Sequence, residues 1–195
     1  MTSRERILAA VAQNQPALTP LPLVPSFQLE TPDLVEKFSQ VAVNIGSWVL
    51  EVRDYEEIQE ILLQDFKAHH RIISHVPEVS SFADATALED PQRHLLENVD
   101  LAIIKGHFGV AENGACWVTE DLLGVRVVPF ICQHLAIILP KHQMVPLMHD
   151  AYEKIGDAEY GYGVFIAGPS KTADIEQSLV LGAHGPRTLT VFLME

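Results

Sequence analysis

Cysteine is scarce in this chain: Cys116 and Cys132 are the only two in 195 residues. An iron–sulfur cluster held by cysteine normally takes four thiolates, so the chain does not hold one alone by that pattern. Two such residues predict buried free thiols rather than a disulfide. Cationic residues are also few, 13 Lys and Arg against 26 Asp and Glu, for a formal net charge of −13. Nonspecific nucleic-acid binding needs a basic face to displace counterions, and an anionic membrane surface attracts one, so both partner classes are excluded as expectations. No apolar run approaches the roughly 20 residues of a membrane helix. Nothing resembling an apolar leader core follows Met1–Arg6, so the expected location is the cytoplasm. The nine histidines contain no His-x-x-x-His pair, which leaves no predicted metal site. Internal repeats and low-complexity tracts are missing as well.

What is present is apolar sequence, 48% of the residues, enough for the sizeable core of one domain. Residues 2–13 read as a helix, with Thr2 and Glu5 forming a capping box and Ile7, Leu8 and Val11 an apolar stripe. Pro16, Pro20, Pro22 and Pro25 make residues 14–30 an extended linker, so the first helix becomes an arm outside the main core, of the kind that packs on a partner subunit. A second helix is predicted from Thr31-Pro32 to Gly46, followed by a strand over 47–52, a helix over 54–69 and a strand over 71–76. Further strands are predicted at 101–104, 115–118, 125–128, 135–139, 163–167 and 191–193, with a helix over 144–155. Strands alternating with helices imply an α/β fold, a mainly parallel sheet sandwiched by helices.

Two constellations carry chemistry. In the first, the strand 163–167 breaks at Gly168-Pro169 and restarts as a predicted helix that ends at Gly182, with His184 and Gly185 in the next turn. Ser170, Thr172 and Asp174 either cap that helix or, with Lys171 and the unpaired N–H groups of its first turn, hold an anion. His184 is suited to acid–base work near neutral pH. In the second, Gly106–Ala115 follows the strand 101–104, where loops at the C-terminal ends of parallel strands form ligand crevices. Gly109 and Gly114 let backbone N–H groups approach a ligand, Asn113-Gly114 suits a tight turn, and Glu112 is either a nucleophile or general base, or a solvated turn residue. The reading joins Glu112 and His184 as catalytic candidates across one shared pocket.

Ala111-Glu-Asn-Gly114, Gly168-Pro-Ser-Lys-Thr-Ala-Asp-Ile-Glu176 and Gly182-Ala-His-Gly-Pro-Arg187 together resemble the LUD (lactate utilisation) domain family, in its LutC/YkgG-like branch, over residue 31 to the end. The resemblance implies a fold similar to the NagB/RpiA/CoA-transferase group, with residues 1–30 as helix and linker and 31–195 as the LUD domain. It implies a non-redox C subunit working with iron–sulfur subunits A and B in oxidising L-lactate to pyruvate, with the clusters in the partners and no cofactor in this chain. A homo-oligomer is compatible with it. Glu112-Asn-Gly114 also looks like the Glu segment of one class of CoA-transferases, although Ala111 stands where those have Ser. That likeness keeps open a free-standing isomerase or acyl-transfer enzyme using Glu112, and a scaffold module whose turns are structural is the third reading.

Overall fold

A computed structural model describes residues 1–20, 22, 25, 27, 33–89, 93–172 and 180–195. In chain order the first elements are α1 (Ser3–Gln13), α2 (Leu34–Asn44), β1 (Trp48–Val52), α3 (Tyr55–Asp65), β2 (Ile72–Ser74), α4 (Thr86–Glu89) and β3 (Leu101–Lys105). They are followed by β4 (Phe108–Val110), β5 (Ala115–Thr119), α5 (Val128–Ile131), β6 (His134–Pro140), β7 (Met144–Val145), α6 (Met148–Ile155), β8 (Gly163–Ile166), β9 (Lys171–Thr172), β10 (Val180–Leu181) and β11 (Thr188–Met194).

The apolar runs build a five-stranded sheet of order β1-β11-β6-β3-β2, parallel at every pairing. Both of its faces are covered, which is why its central strands are apolar at nearly every position rather than alternating. On one face Leu101, Ile103, Ile138 and Phe192 pack against Ile58 and Leu62 of α3. On the other, Ala102, Ile104, Ile137, Leu139 and Val191 meet Phe38 and Ala42 of α2 and Cys116 and Val118 of a second sheet. That second sheet is four-stranded, of order β7-β4-β5-β8, and its outer face, through Phe108, Val110, Ala115 and Trp117, packs on Ala151 of α6. The fold is therefore α/β, layered as helix, parallel sheet, mixed sheet with α2, and helix.

The helices start where short polar side chains satisfy orphan N–H groups. Thr2 and Glu5 form the expected capping box of α1, every residue of which is exposed. Thr31 and Pro32 lie outside the described residues; the cap of α2 is Asp33, whose Oδ1 accepts from the N–H groups of Val35 and Glu36 at 2.9 and 3.0 Å. One flank of the parallel sheet is closed by backbone: Asp84 donates to Ile72 O at 2.8 Å and accepts from Ser74 N–H at 3.2 Å, a parallel bridge on the outer side of β2.

Three expectations are corrected. Residues 125–128 are not a strand: Val128 N–H bonds Val125 O and Phe130 N–H bonds Val127 O, and Pro129 fits the first turn of α5. Val125 and Val128 are both buried, a helical spacing compressed into too few residues to show its period. The helix expected over 144–155 starts only at Met148, because Met144 and Val145 pair in parallel with Gly109 and Val110 before Pro146 ends the ladder. The helix expected to run from Ser170 to Gly182 is an antiparallel pair at both ends, with Lys171 opposite Leu181 and Thr172 opposite Val180; residues 173–179 lie outside the described residues. Gly182, at φ +74°, donates its N–H to Ser170 O at 3.0 Å, so the glycine extends the antiparallel pair and does not stop a helix. Among the described residues no helix is long and apolar enough to cross a membrane.

Candidate functional site

The two candidate loops reach the same end of the four-stranded sheet. β5 and β8 are antiparallel with Cys116 opposite Ile166, so the turn before Ala115 lies beside the residues after Ile166. Both loops also rest on the last turns of α2. A Cβ added at Gly114 would stand 3.0 Å from the N and Cα of Ala42, and one added at Gly168 would stand 3.0 Å from Ile45 O. This end corresponds to the N-terminal ends of the parallel strands, since α2 leads directly into β1. The crevice expected at the C-terminal ends is thus not where Glu112 lies. The cause is at Gly106, whose N–H still bonds Ile138 O of the parallel sheet, while His107 N–H already bonds Trp117 O of the second sheet. There the chain doubles back, carrying the turn after β4 to the opposite end.

Around Glu112 each candidate residue has a structural partner. The Glu112 carboxylate is exposed, and its Oε2 accepts from Met148 N–H at 2.8 Å, placing a negative charge at the N-terminus of α6. Asn113 Oδ1 accepts from Ala115 N–H at 3.1 Å, an Asx turn. Gly114 sits at φ +69° and donates to Val110 O at 2.9 Å. Gly109 is buried, and an added Cβ would come within 2.6 Å of Met144 Sδ and 2.8 Å of the Phe38 ring. Glu112→Ala is expected to lose about 1 kcal/mol of stability, the usual cost of a helix cap, whereas Glu112→Gln keeps an accepting oxygen and loses clearly less. Urea unfolding of the two variants checks the difference.

The second loop builds a cavity of about 300 Å³. Phe130, Leu135 and Phe165 line it, and Ser170, Lys171, His184 and Gly185 border it. Ser170 N–H donates to Pro186 O at 2.8 Å, so this donor is consumed by the neighbouring loop rather than presented at a helix terminus. Gly185 is the side that lets Ser170 in: an added Cβ would lie 3.1 Å from Ser170 Cβ. Lys171 Nζ donates to Ile45 O near the C-terminal end of α2, where helix carbonyls attract a cation. The structure thus brings together Ser170, Lys171, His184 and Gly185. Glu112, Asn113, Gly114 and Gly109 do not line that cavity, Thr172 belongs to β9, and Asp174 lies outside the described residues.

Other groups find partners that the sequence does not name, and the two thiols are buried as expected. His107 Nε2 lies 2.5 Å from Thr119 Oγ1, and Thr119 donates on to Asp121 Oδ1. They line a cavity of about 570 Å³. The period-two pattern of β5 sets Trp117 and Thr119 on one face, and His107 joins them only through the pairing of β4 with β5. His134 Nδ1 lies 2.8 Å from Thr188 Oγ1, and burial, helped by Arg187, pushes its pKa down. Burial drives the Cys116 thiol far up and the Cys132 thiol to about 12, so neither presents a thiolate.

Comparison with known proteins agrees with this architecture. A family model described as LUD domain matches residues 33–194. Lactate utilization protein C of Oceanobacillus iheyensis is 30% identical over 108 residues, 52% of this chain and 46% of that protein. Lactate utilization protein C of an Exiguobacterium species is 25% identical over 180 residues, 83% of this chain and 78% of that protein. The chain spans about half the length of several of the curated relatives it matches, 46%, 40% and 49% in three cases. A crystal structure of a DUF162 family protein from Deinococcus radiodurans superimposes with a TM-score of 0.58 at 15% identity, over 83% of this chain and 96% of that one, a likeness of fold.

Proposed function

Because the chain belongs to the LUD domain family, we propose that it serves lactate utilisation as a non-redox subunit beside iron–sulfur subunits A and B, and that it holds a small carboxylate or other anion. The supporting observation is the cavity of about 300 Å³ with an apolar floor and a polar border of Ser170, Lys171 and His184, a size and lining suited to a small ligand. Relatives named lactate utilization protein C supply the biological direction. The partners A and B are carried by the family resemblance, and the buried thiols are consistent with clusters residing elsewhere.

In this reading Ser170 Oγ donates to a carboxylate oxygen. His184 donates a second bond from a ring N–H. Lys171 spends one of its three ammonium donors on Ile45 O and turns the rest toward the anion. The alternative, an isomerase or acyl-transfer enzyme built on Glu112, has that carboxylate exposed but engaged as the cap of α6.

Calorimetric titration with L-lactate and with pyruvate, with and without the two iron–sulfur subunits, tests the proposal. Ser170→Ala and His184→Ala are each expected to weaken binding about tenfold, the loss of one charge-assisted hydrogen bond. No heat in either setting, together with failure to co-purify with the partners, would rule the proposal out.

A further inference from the structure

The larger cavity, about 570 Å³, stands at the other end of the four-stranded sheet, between its outer face and the C-terminal part of α6. It is built independently of Ser170. β5 sends Trp117 and Thr119 to one face, and register puts Phe108 across from Trp117 and Gly163 across from Thr119. Gly163 leaves room for the Trp117 ring, and Gly161 for the Glu120 carboxylate; an added Cβ at either position would collide with them. Trp117 packs edge-on with Tyr160 at 5.4 Å between centroids, completing an aromatic wall.

The polar groups are arranged in two sets. Thr119 gives its hydroxyl proton to Asp121, so the threonine oxygen accepts from Nε2–H of His107. In the neutral ring this leaves Nδ1 of His107 as a lone-pair acceptor. Across from it, Lys154 Nζ donates to Gln143 Oε1 at 2.5 Å and lies 5.0 Å from the Phe108 ring centroid. Among the described residues no acid forms an ion pair with Lys154. Glu120 is neutralised by Arg126 at 2.5 Å; Asp121 accepts the Thr119 hydroxyl but keeps its charge, so Asp121 and Glu159 are the opposing charges that Lys154 must outweigh at its own end of the cavity.

We propose that this cavity is a second binding site, for a hydroxy acid that carries a flat aromatic or apolar group. The carboxylate pairs with Lys154, the hydroxyl donates to His107 Nδ1, and the flat group lies along Trp117 and Tyr160. Thr119 and Asp121 are positioning residues that hold the imidazole in the accepting tautomer. The site does not depend on the lactate reading, and the two fail separately because their side chains are disjoint.

The test uses the full chain in a Trp48→Phe background, so that Trp117, the second of the two tryptophans, is the sole indole reporter. L-phenyllactate is the probe. Saturable quenching of Trp117 emission is expected, about tenfold weaker in His107→Gln and in Lys154→Met and unchanged in Ser170→Ala. 3-Phenylpropionate, which lacks the hydroxyl, is expected to bind the parent about as weakly as L-phenyllactate binds His107→Gln. His107 and Lys154 lie at the surface, and circular dichroism confirms folding of each variant. Absence of saturable quenching overturns the proposal, as does equal affinity for the two acids. So does tighter binding of L-phenylalanine, which would mean that Glu159 selects an amine in place of the hydroxyl.

Discussion

Phe38→Ala is expected to lower the free energy of unfolding by about 3–5 kcal/mol, the range for emptying a fully buried aromatic site. Phe38 is 0% exposed, in the cluster shared by α2, the parallel sheet and the second sheet. Its ring faces Gly109, which has no side chain to turn into the vacated space; Met144 is the flexible neighbour at that point, and its partial relaxation sets where in the range the loss falls. The effect should extend beyond global stability, because the later turns of α2 also support both candidate loops through Ala42 and Ile45. Urea unfolding should show a lower midpoint at unchanged slope. A loss under about 1 kcal/mol would mean that α2 is not seated between the sheets as described.

Gly114→Ala is the second large effect, expected at roughly 2–5 kcal/mol. The backbone there is left-handed, φ +69°, which costs a residue with a Cβ about 1–2 kcal/mol. The added carbon also meets backbone, the N and Cα of Ala42 at 3.0 Å, and overpacking against a wall that cannot rotate away adds about 1–3 kcal/mol. Gly46→Ala supplies the comparison, since φ is +96° at the C-terminal cap of α2 but the nearest atom to an added Cβ is Pro169 Cγ at 3.5 Å. It should show the conformational part alone. Equal losses at the two positions would remove the contact with α2 from the explanation.

These two residues also show what could be read before the structure. Leu34, Phe38 and Val41 fall at helical spacing, so the burial of Phe38 follows from period alone. The apolar runs 101–104 and 135–139 likewise became strands buried on both faces, because nothing but a covered parallel sheet accommodates such runs. Gly114 was singled out for the right freedom and the wrong neighbour: the turn was legible, but its contact with Ala42 depends on β4 folding back over the sheet. The same limit applies to 170–182, where Gly-Pro and a later Gly punctuate a hairpin as readily as a helix. Glu112 and Ser170 were placed in one pocket; they reach one end of a sheet, but the carboxylate turns to α6. The chain from His107 through Thr119 to Asp121 could not be foreseen from spacing, since it is closed by the pairing of β4 with β5.

The backbone bridge at Asp84 bears on how copies of the molecule can assemble. Strand-by-strand growth of a ribbon requires two receptive rims per protomer. Here the β2 rim is already occupied by the chain's own peptide groups, leaving β1 as the other flank of the five-stranded sheet. Two molecules that joined through β1 would each have spent that flank, so pairing through this sheet closes at a twofold dimer and does not propagate into a filament.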